Sequence, residues 1–283
     1  MNINILNAIM NLVNDPIIDV KEYSDSRNRA NSMGVALEEY IKDMFAGTIT
    51  TTDTKERMKR FSEVFSYSGN QNNPPDFMIR NGDAVEVKKI EGMGSSLALN
   101  SSYPKYKIFA DSPMLTQACK TAEEWEEKDI IYAVGVLPKN NRLRQLTLVY
   151  GVDYAAKEEI YTRIKDSIKN GVNEIPGIEL TETRELGRVN RVDPLGITYL
   201  RIRGMWGIDN PLKVYDYIYE PNLDKEFNFM AIININKYNT LKNKDKFENF
   251  IKDRTDITME SVEIKDPNNP VKLVEAKLIK YSL

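Results

Sequence analysis

The chain has 283 residues, 29% of them charged and 41% hydrophobic, with a formal net charge of −3. It contains no histidine, which excludes a Ser-His-Asp triad, a His-ligated zinc site and every nuclease type that depends on histidine. The single cysteine, Cys119, excludes an internal disulfide framework. Because no signal peptide or membrane-length apolar run is visible, we expect a cytoplasmic protein.

Hydrophobic periodicity predicts the elements of the N-terminal half. One short helix is expected over residues 3–13 and a longer one from about Asn28 to Phe45, with a polar loop over residues 46–60. A strand pair follows at about 76–90. Ser112-Pro113 then predicts the start of a helix, with Ser112 as its N-cap and Pro113 in its first turn. This helix is expected to reach about Lys128.

The C-terminal half alternates strands and helices in the same way. Strands are predicted at 130–137, 146–152, 197–203, 227–234, 258–264 and 271–279. Helices are predicted at 154–169, ending before Gly171, from Asn210-Pro211 to about Tyr219, and at 236–252. Without repeats or a long linker, this order predicts one α/β domain.

The stretch P-P-D-F-M-I-R-N-G-D-A-V-E-V-K-K (74–89) predicts a charged β-hairpin. A two-residue loop, Asn81-Gly82, would mix acidic and apolar side chains on both faces. A three-residue loop, residues 80–82, instead places Asp76 opposite Glu86 and Lys88 on the same face, and leaves the other face uniformly apolar. The pattern therefore selects the three-residue loop, with Gly82 in the left-handed conformation.

Two facing carboxylates repel each other unless a cation lies between them, and Mg²⁺ is the cation that prefers carboxylate and water oxygens. Lys88 would orient or deprotonate an attacking water, or stabilise charge on a phosphate. An ordinary solvated strand face is the alternative interpretation of the same residues. The upstream helix offers Glu38 and Glu39 as a further acid, and we favour Glu38 because it borders the apolar stripe.

Longer motifs make the similarity more specific than the acid–acid–lysine pattern. They are R-N-R-A-N-S-M-G-V-A-L-E-E-Y (27–40), N-P-P-D (73–76), A-V-E-V-K-K (84–89), L-A-L-N-S-S-Y-P-K (97–105), F-A-D-S-P-M-L (109–115) and I-T-Y-L-R-I-R-G-M-W-G-I (197–208). Together they resemble the NgoPII-type restriction endonucleases of the PD-(D/E)xK nuclease superfamily. The resemblance extends to about Asn234, and we see none in the segment beyond residue 235.

The resemblance implies a fold, a reaction and a site. The fold would be a PD-(D/E)xK restriction-endonuclease-like core, a mixed central sheet flanked by helices, over residues 1–235, with 236–283 as an extension packed on the same domain. The enzyme would be a Mg²⁺-dependent Type II restriction enzyme that cuts double-stranded DNA at GGCC and leaves 5′-phosphate ends. Asp76, Glu86 and the Val87 carbonyl would hold the metal, and Lys88 would lie beside the attacking water.

Recognition of a palindromic G·C site implies further residues and partners. A homodimer matches a two-fold site, and arginine matches guanine O6 and N7 bidentately. Arg201 and Arg203 are expected on one face of a strand, with Arg188 and Arg191 in the loop before it. Small donors for phosphate oxygens or base edges follow the catalytic strand, unless they only form a turn: Asn100, Ser101, Ser102 and Lys105. A cognate GGCC methyltransferase is expected as the functional partner that protects the host genome.

Three other functions use the same residues. N-P-P-D-F (73–77) is similar to the motif of amino-methyltransferases, but Asp76 stands where that motif has an aromatic residue, and no glycine-rich cofactor loop precedes it. A noncatalytic DNA-binding module with the same core is a second alternative, which the intact Asp76, Glu86 and Lys88 disfavour. A DNA repair or recombination nuclease with the same core is the third.

Overall fold

The computed structural model describes residues 3–25, 32–70, 73–175, 179–180 and 186–283. The helices are α1 (Ile5–Asn14), α2 (Val20–Asp25), α3 (Met33–Ala46), α4 (Thr54–Val64), α5 (Gln117–Lys120), α6 (Gly151–Tyr154), α7 (Glu158–Asn173), α8 (Pro211–Val214), α9 (Ile235–Thr240) and α10 (Lys244–Ile251). The strands are β1 (Phe65–Asn70), β2 (Asn73–Ile79), β3 (Ala84–Ile90), β4 (Leu97–Asn100), β5 (Lys107–Phe109), β6 (Glu127–Val136), β7 (Gln145–Tyr150), β8 (Glu179–Leu180), β9 (Gly187–Asn190), β10 (Leu200–Ile202), β11 (Trp206–Ile208), β12 (Asn228–Asn234), β13 (Ile257–Asp266) and β14 (Asn269–Ser282).

A mixed central sheet organises the fold, as the sequence predicts for an α/β protein. Within the described residues its strand order is β1-β2-β3-β6-β7-β12-β14-β13, with β5 paired to β6 at one end. The pairs β3–β6 and β7–β12 are parallel, and the other neighbouring pairs are antiparallel. Two smaller sheets, β10-β9-β8 and β11-β4, lie outside this order.

Both faces of the sheet are largely buried along β2, β3, β6, β7 and β12, so this part of the sheet separates two hydrophobic layers. Side chains from α1, α3 and α10 cover one face, where they pack against Phe77, Ile79 and Val85. On the other face Met78 and Ala84 belong to a second cluster with residues of β4 and β6. The charged residues of the hairpin therefore share their face with a second core layer rather than with open solvent.

The helix that carries Glu38 is fixed at both ends. Ser32 caps α3 by accepting the Val35 N–H, and Gly47 ends the helix in the left-handed conformation, with φ of 69°. Its apolar stripe, which includes Leu37, Tyr40 and Ile41, is fully buried. This burial fixes the rotation of α3 and therefore the direction in which its boundary glutamates point.

The hairpin has the register that the sequence predicts, but not the predicted left-handed residue. Met78 pairs with Ala84, which places Asp76 opposite Glu86, and the Ile79 N–H donates to the Asp83 carbonyl across a three-residue loop. Asn81, with φ of 53°, is left-handed, and Gly82 is not. The Gly82 N–H closes a turn on the Ile79 carbonyl, which makes Asn81 the third turn residue, where type II turns accept asparagine as well as glycine.

Several predicted elements differ from the structure. Residues 54–60 belong to α4, capped by Asp53, rather than to a polar loop. The helix predicted from Ser112 reduces to α5, because Thr116 supplies the cap and residues from Glu127 onward pair as β6. Helix α7 continues past Gly171, whose missing side chain faces open space. The helices predicted at 210–219 and 236–252 are shorter or divided, and the proposed start at Asn28 lies outside the described residues.

None of the helices in the described ranges is both long and apolar enough to cross a membrane. Residues 236–283 add β14 and β13 to the central sheet, so this segment continues the main sheet rather than forming a separate layer.

Candidate active site

The acidic end of the hairpin begins where β2 and β3 stop pairing. Their ladder contains only Phe77–Val85 and Met78–Ala84. Past these two pairs, a side chain replaces the backbone carbonyl as the acceptor: Asp76 Oδ2 accepts the Val87 N–H at 2.6 Å. Because the N–H and C=O of one strand residue point to the same edge, the Val87 carbonyl is also directed toward Asp76.

Glu86 is the most enclosed acid of the site, with 9% of its surface exposed. Its Oε1 accepts a hydrogen bond from Lys88 Nζ at 2.6 Å. Its Oε2 is buried and has no hydrogen-bond partner within the described part of the chain. A buried carboxylate oxygen without a partner costs about 1–3 kcal/mol or more, so this atom is suited to a cation.

The donor set fits a hard divalent cation that keeps part of its water shell. Asp76 and Glu86 supply two carboxylates on one face, and the Val87 carbonyl is directed to the same place. Across the described ranges, no three His, Cys, Asp or Glu side chains converge on one point. Mg²⁺ is commonly held by one or two carboxylates plus waters, so two acids are enough for it.

The charges of the site act on one another. Burial and the charge of Glu86 raise the pKa of Asp76 to about 8, with a further contribution from Glu38 and opposition from the Val87 N–H and from Lys88. Burial lowers the pKa of Lys88, but the charge and hydrogen bond of Glu86 outweigh it and leave that pKa raised. Lys88 is therefore an ammonium group, which favours charge stabilisation over proton abstraction from water.

The two glutamates of α3 point to different partners. Glu38 accepts from Lys42 Nζ at 2.7 Å, and its charge acts on both Asp76 and Lys88. Glu39 accepts from Arg57 at 2.6 Å, and the same guanidinium binds the fully buried Asp43. Of the two, Glu38 is the acid whose charge reaches the site.

The loop after β4 forms a second wall of the same cleft. The cleft is lined by Asp76, Glu86 and Lys88 of the hairpin, by Ile130 and Tyr132 of β6, and by the predicted DNA-contacting residues Asn100, Ser101, Ser102 and Lys105. Asn100 is left-handed, with φ of 52°, and the Ser102 N–H closes a turn on the Leu99 carbonyl. The segment thus forms a turn and also lines the cleft.

Two cleft residues carry no signal in the sequence. Tyr132 is the neighbour of Glu86 in the parallel β3–β6 ladder, and its hydroxyl accepts the Lys105 N–H at 2.7 Å. Tyr103 stacks on Tyr161 of α7, with ring centroids 5.7 Å apart. Both positions depend on crossover connections that local patterns do not specify.

The predicted arginines lie on a separate hairpin and are not among the residues that line the described cleft. Arg188 lies on β9 and not in the predicted loop, because residues 187–189 pair with β10 as a strand. Within this ladder Arg188 pairs directly with Arg201. Its guanidinium lies 4.4 Å from the centroid of the Tyr199 ring. Arg191, with φ of 48°, follows β9, and Arg203 follows the end of β10.

The arginine hairpin is connected to the cleft through two short strands. β11 follows β10 in the chain and pairs with β4, whose last residue, Asn100, begins the second cleft wall. Trp206 of β11 makes edge contacts with Tyr103 and Tyr161.

Comparison with known proteins identifies relatives across nearly the whole chain. The sequence profile described as NgoPII restriction endonuclease matches residues 3–265. The Type II restriction enzyme NgoPII of Neisseria gonorrhoeae is 56% identical over 280 residues, which cover 99% of this chain and 100% of that enzyme. The similarity thus continues past residue 235, beyond the motifs seen in the sequence. No solved structure matches the chain significantly.

Proposed function

The chain belongs to the NgoPII restriction endonuclease family, and from this membership we propose the details of its reaction. It is a Type II restriction enzyme, a site-specific deoxyribonuclease that hydrolyses phosphodiester bonds of double-stranded DNA. We propose that it is Mg²⁺-dependent, acts at GGCC and leaves 5′-phosphate and 3′-hydroxyl ends. The observation that carries the chemistry is the convergence of Asp76, Glu86 and Lys88, with a buried Glu86 oxygen that has no described partner.

Asp76, Glu86 and the Val87 carbonyl would hold the metal ion. When bound, Mg²⁺ supplies positive charge that offsets the repulsion between the carboxylates, polarises the scissile phosphate and lowers the pKa of water. The hydrogen bond from the Val87 N–H fixes the Asp76 carboxylate, so its second oxygen is oriented before any ligand enters. On this arrangement we propose a PD-(D/E)xK nuclease core for the region of residues 1–235.

Lys88 and Glu38 complete the proposed catalytic group. Lys88, an ammonium held by Glu86, would stabilise negative charge on the phosphate as the attacking water adds. Glu38 would orient water at the edge of the cleft, since it is partly exposed and its charge acts on Asp76 and Lys88.

DNA binding is divided between two surfaces. We propose that the turn of Asn100, Ser101, Ser102 and Lys105 binds the backbone near the scissile phosphate, because it lines the cleft. The arginine hairpin, with Arg188, Arg191, Arg201 and Arg203, would contact guanine edges and flanking phosphates. The direct pairing of Arg188 with Arg201 concentrates positive charge on one face, which suits a polyanionic partner.

A homodimer is proposed because a two-fold symmetric site is matched by a two-fold symmetric protein. Helix α7 offers a surface that supports it: Ile160, Ile164 and Ile168 form a stripe on its outer side, and Ile164 is 45% exposed. In antiparallel packing about Ile164, Ile160 of one subunit would contact Ile168 of the other. An Ile164→Cys variant should then form a disulfide-linked dimer on oxidation, against the low background of the buried Cys119.

The remaining proposals concern the setting of the enzyme. A GGCC methyltransferase would protect the host DNA, and both enzymes would act in the cytoplasm. Residues 236–283 would be an extension of the catalytic domain, since β14 pairs with both β12 and β13. The match to a restriction endonuclease family disfavours the two alternatives with the same core, a noncatalytic DNA-binding module and a repair or recombination nuclease.

The decisive experiment is digestion of a sequenced, unmethylated plasmid with Mg²⁺ and, in parallel, with EDTA. Discrete fragments that match the GGCC map only with Mg²⁺ would support the proposal. Glu86→Ala and Lys88→Ala should abolish them, while Lys89→Ala, a matched control that pairs with Glu91 outside the cleft, should not. A different fragment map would refute the GGCC assignment, a smear would favour a repair nuclease, and binding without cutting would favour the noncatalytic module.

A further inference from the structure

Lys105 is a buried lysine that follows the turn after β4. Only 7% of its surface is exposed, yet it lines the same cleft as Asp76, Glu86 and Lys88. Its backbone is fixed, because the Lys105 N–H donates to the Tyr132 hydroxyl at 2.7 Å on the neighbouring strand β6. The position of this amine is therefore set by the central sheet rather than by a free loop.

The direct contacts described for the Lys105 ammonium are with uncharged groups. Its Nζ lies 3.5 Å from the centroid of the Tyr103 ring and 3.1 Å from the Met114 sulfur. It forms no ion pair with any carboxylate in the described residues. By contrast, Lys88 and Lys128, also in or near the core, are each held by a glutamate. A buried ammonium without an anion is costly, which indicates that an anionic ligand completes this position.

The charged groups around Lys105 come from several elements. Glu158 and Lys165 of α7 act on it, and Asp76, Glu86 and Lys88 line the same cleft. Burial lowers the pKa of Lys105 to about 8; Glu158 opposes the shift, and Lys165 adds to it. Such an amine is mainly protonated at neutral pH and still gives up its proton readily.

We infer that Lys105 is the general acid of the reaction and protonates the 3′-oxygen as it leaves. This inference rests on the proposed Mg²⁺-dependent hydrolysis at the cleft. In an in-line displacement the attacking and leaving oxygens lie on opposite sides of the phosphorus. Lys88 lies on β3 beside the two carboxylates and is assigned to the attacking water, so the second lysine, which reaches the same cleft from the turn after β4, is placed for the leaving group.

The step balances without any further reagent. The water oxygen forms a bond to phosphorus while the P–O3′ bond breaks, and its electron pair remains on O3′. Lys105 transfers a proton from Nζ to O3′, which gives the 3′-hydroxyl and a neutral amine. The attacking water releases a proton to solvent, and the amine regains one from solvent.

A sulfur-substituted substrate tests the inference. In a duplex with a bridging 3′-phosphorothiolate at the scissile bond, the 3′-sulfur leaves as a thiolate, which needs no proton donor. Lys105→Met should slow single-turnover cleavage of the ordinary duplex by about 10²–10⁴-fold, the usual range for a general acid, but slow the sulfur duplex less than about tenfold. Lys105→Arg keeps the charge but cannot release the proton, so it should show the same selective loss.

Two controls separate the alternatives. Lys107→Met, two residues away and paired with Glu127 outside the cleft, should cut both duplexes at wild-type rates. The dissociation constant for uncut duplex in EDTA measures DNA binding apart from chemistry. Equal slowing of both duplexes by Lys105→Met and Lys105→Arg, or no slowing of either, would overturn the inference. If the wild-type enzyme cuts neither duplex, the proposed hydrolysis itself fails.

Discussion

Replacing Asp76 with asparagine is expected to stabilise the metal-free protein. Burial and the charge of Glu86 raise the pKa of Asp76 from 3.8 to about 8, so the folded state must either retain a proton or bear a buried charge. At about 1.4 kcal/mol per pH unit, this costs about 5 kcal/mol at pH 8, as an upper bound. Because water entry and relaxation reduce the cost, we expect a gain of about 2–5 kcal/mol. Asparagine cannot ionise, and its oxygen still accepts the Val87 N–H.

The gain should depend on pH in a defined direction. Since the folded pKa lies above the unfolded one, the stabilising contribution of this carboxyl is complete below about pH 4 and is lost as the pH rises to about 8. The advantage of Asp76→Asn should therefore be small at pH 4.5 and largest at pH 8. Urea unfolding in EDTA, followed by tryptophan fluorescence, measures the free energy of unfolding at both pH values.

Two results would refute this reasoning: a variant less stable than wild type at pH 8, or an advantage that does not grow with pH. Asp111→Asn, at an exposed position after β5, is the control and should change little. With Mg²⁺ the wild-type protein should gain more stability than the variant. Wild-type protein should gain about 2.7 kcal/mol at a hundredfold excess over the dissociation constant, and Asp76→Asn should gain much less.

Three further predictions concern buried charges near the site and elsewhere in the fold. Arg57→Met should lower the free energy of unfolding by about 3–5 kcal/mol in denaturant titrations, because Asp43 then keeps a buried charge without its guanidinium partner. Glu38→Gln should slow single-turnover cleavage about tenfold or more and should lower the Tm less than Glu39→Gln, because Lys42 then keeps Glu39 as a partner, whereas Glu39→Gln weakens the pair with Arg57. Burial raises the pKa of Asp153 to about 7, so the stabilising contribution of this carboxyl is complete below about pH 4 and is lost as the pH rises to 7. The loss amounts to about 4 kcal/mol at most. Asp153→Asn should flatten this decline in urea midpoints measured from pH 4 to 7.

Each of these has a matched control. Arg142→Met removes an exposed pair with Glu226 and should cost less than about 1 kcal/mol. If Arg57→Met costs no more than that, the buried pair is not stabilising the fold. Equal loss of activity in the Glu38 and Glu39 variants would contradict the distinction between them. An unchanged pH dependence in Asp153→Asn would show that this group ionises normally in the folded state.

The hairpin register was predictable because one face of it had to be apolar. A one-residue slip would have moved charged groups into the layer around Phe77 and Val85, so the pattern alone selected the loop length. The choice between Asn81 and Gly82 as the left-handed residue was not predictable in the same way, because both residue types adopt that conformation at little cost. The prediction of Gly82 was therefore wrong while the register was confirmed.

Other parts of the site depend on contacts between distant segments. Tyr132 lies beside Glu86 only because β3 and β6 are parallel neighbours, and the intervening chain does not specify that pairing. Helix α4 was missed because its sequence is mostly polar, yet Arg57 and Phe61 bury it against α3 and β1. The helical periodicity favours Glu38 over Glu39 because burial of the α3 stripe fixes which side of the helix each occupies, and the role of Glu38 as the further acid stays a prediction.

The order of strands in the sheet has a consequence for how the enzyme comes into being. β14 lies between β12 and β13, although it follows both in the chain. During synthesis β12 therefore leaves the ribosome with one edge open, and that edge can be filled only after the whole β13–β14 hairpin has emerged. Until then the nascent chain exposes unpaired backbone groups on a strand that is fully buried in the finished molecule, the condition under which chains associate wrongly. A nuclease assembled in this order completes its central sheet only after β14 has been synthesised, and slower elongation before β14 should increase the fraction of chains lost to aggregation.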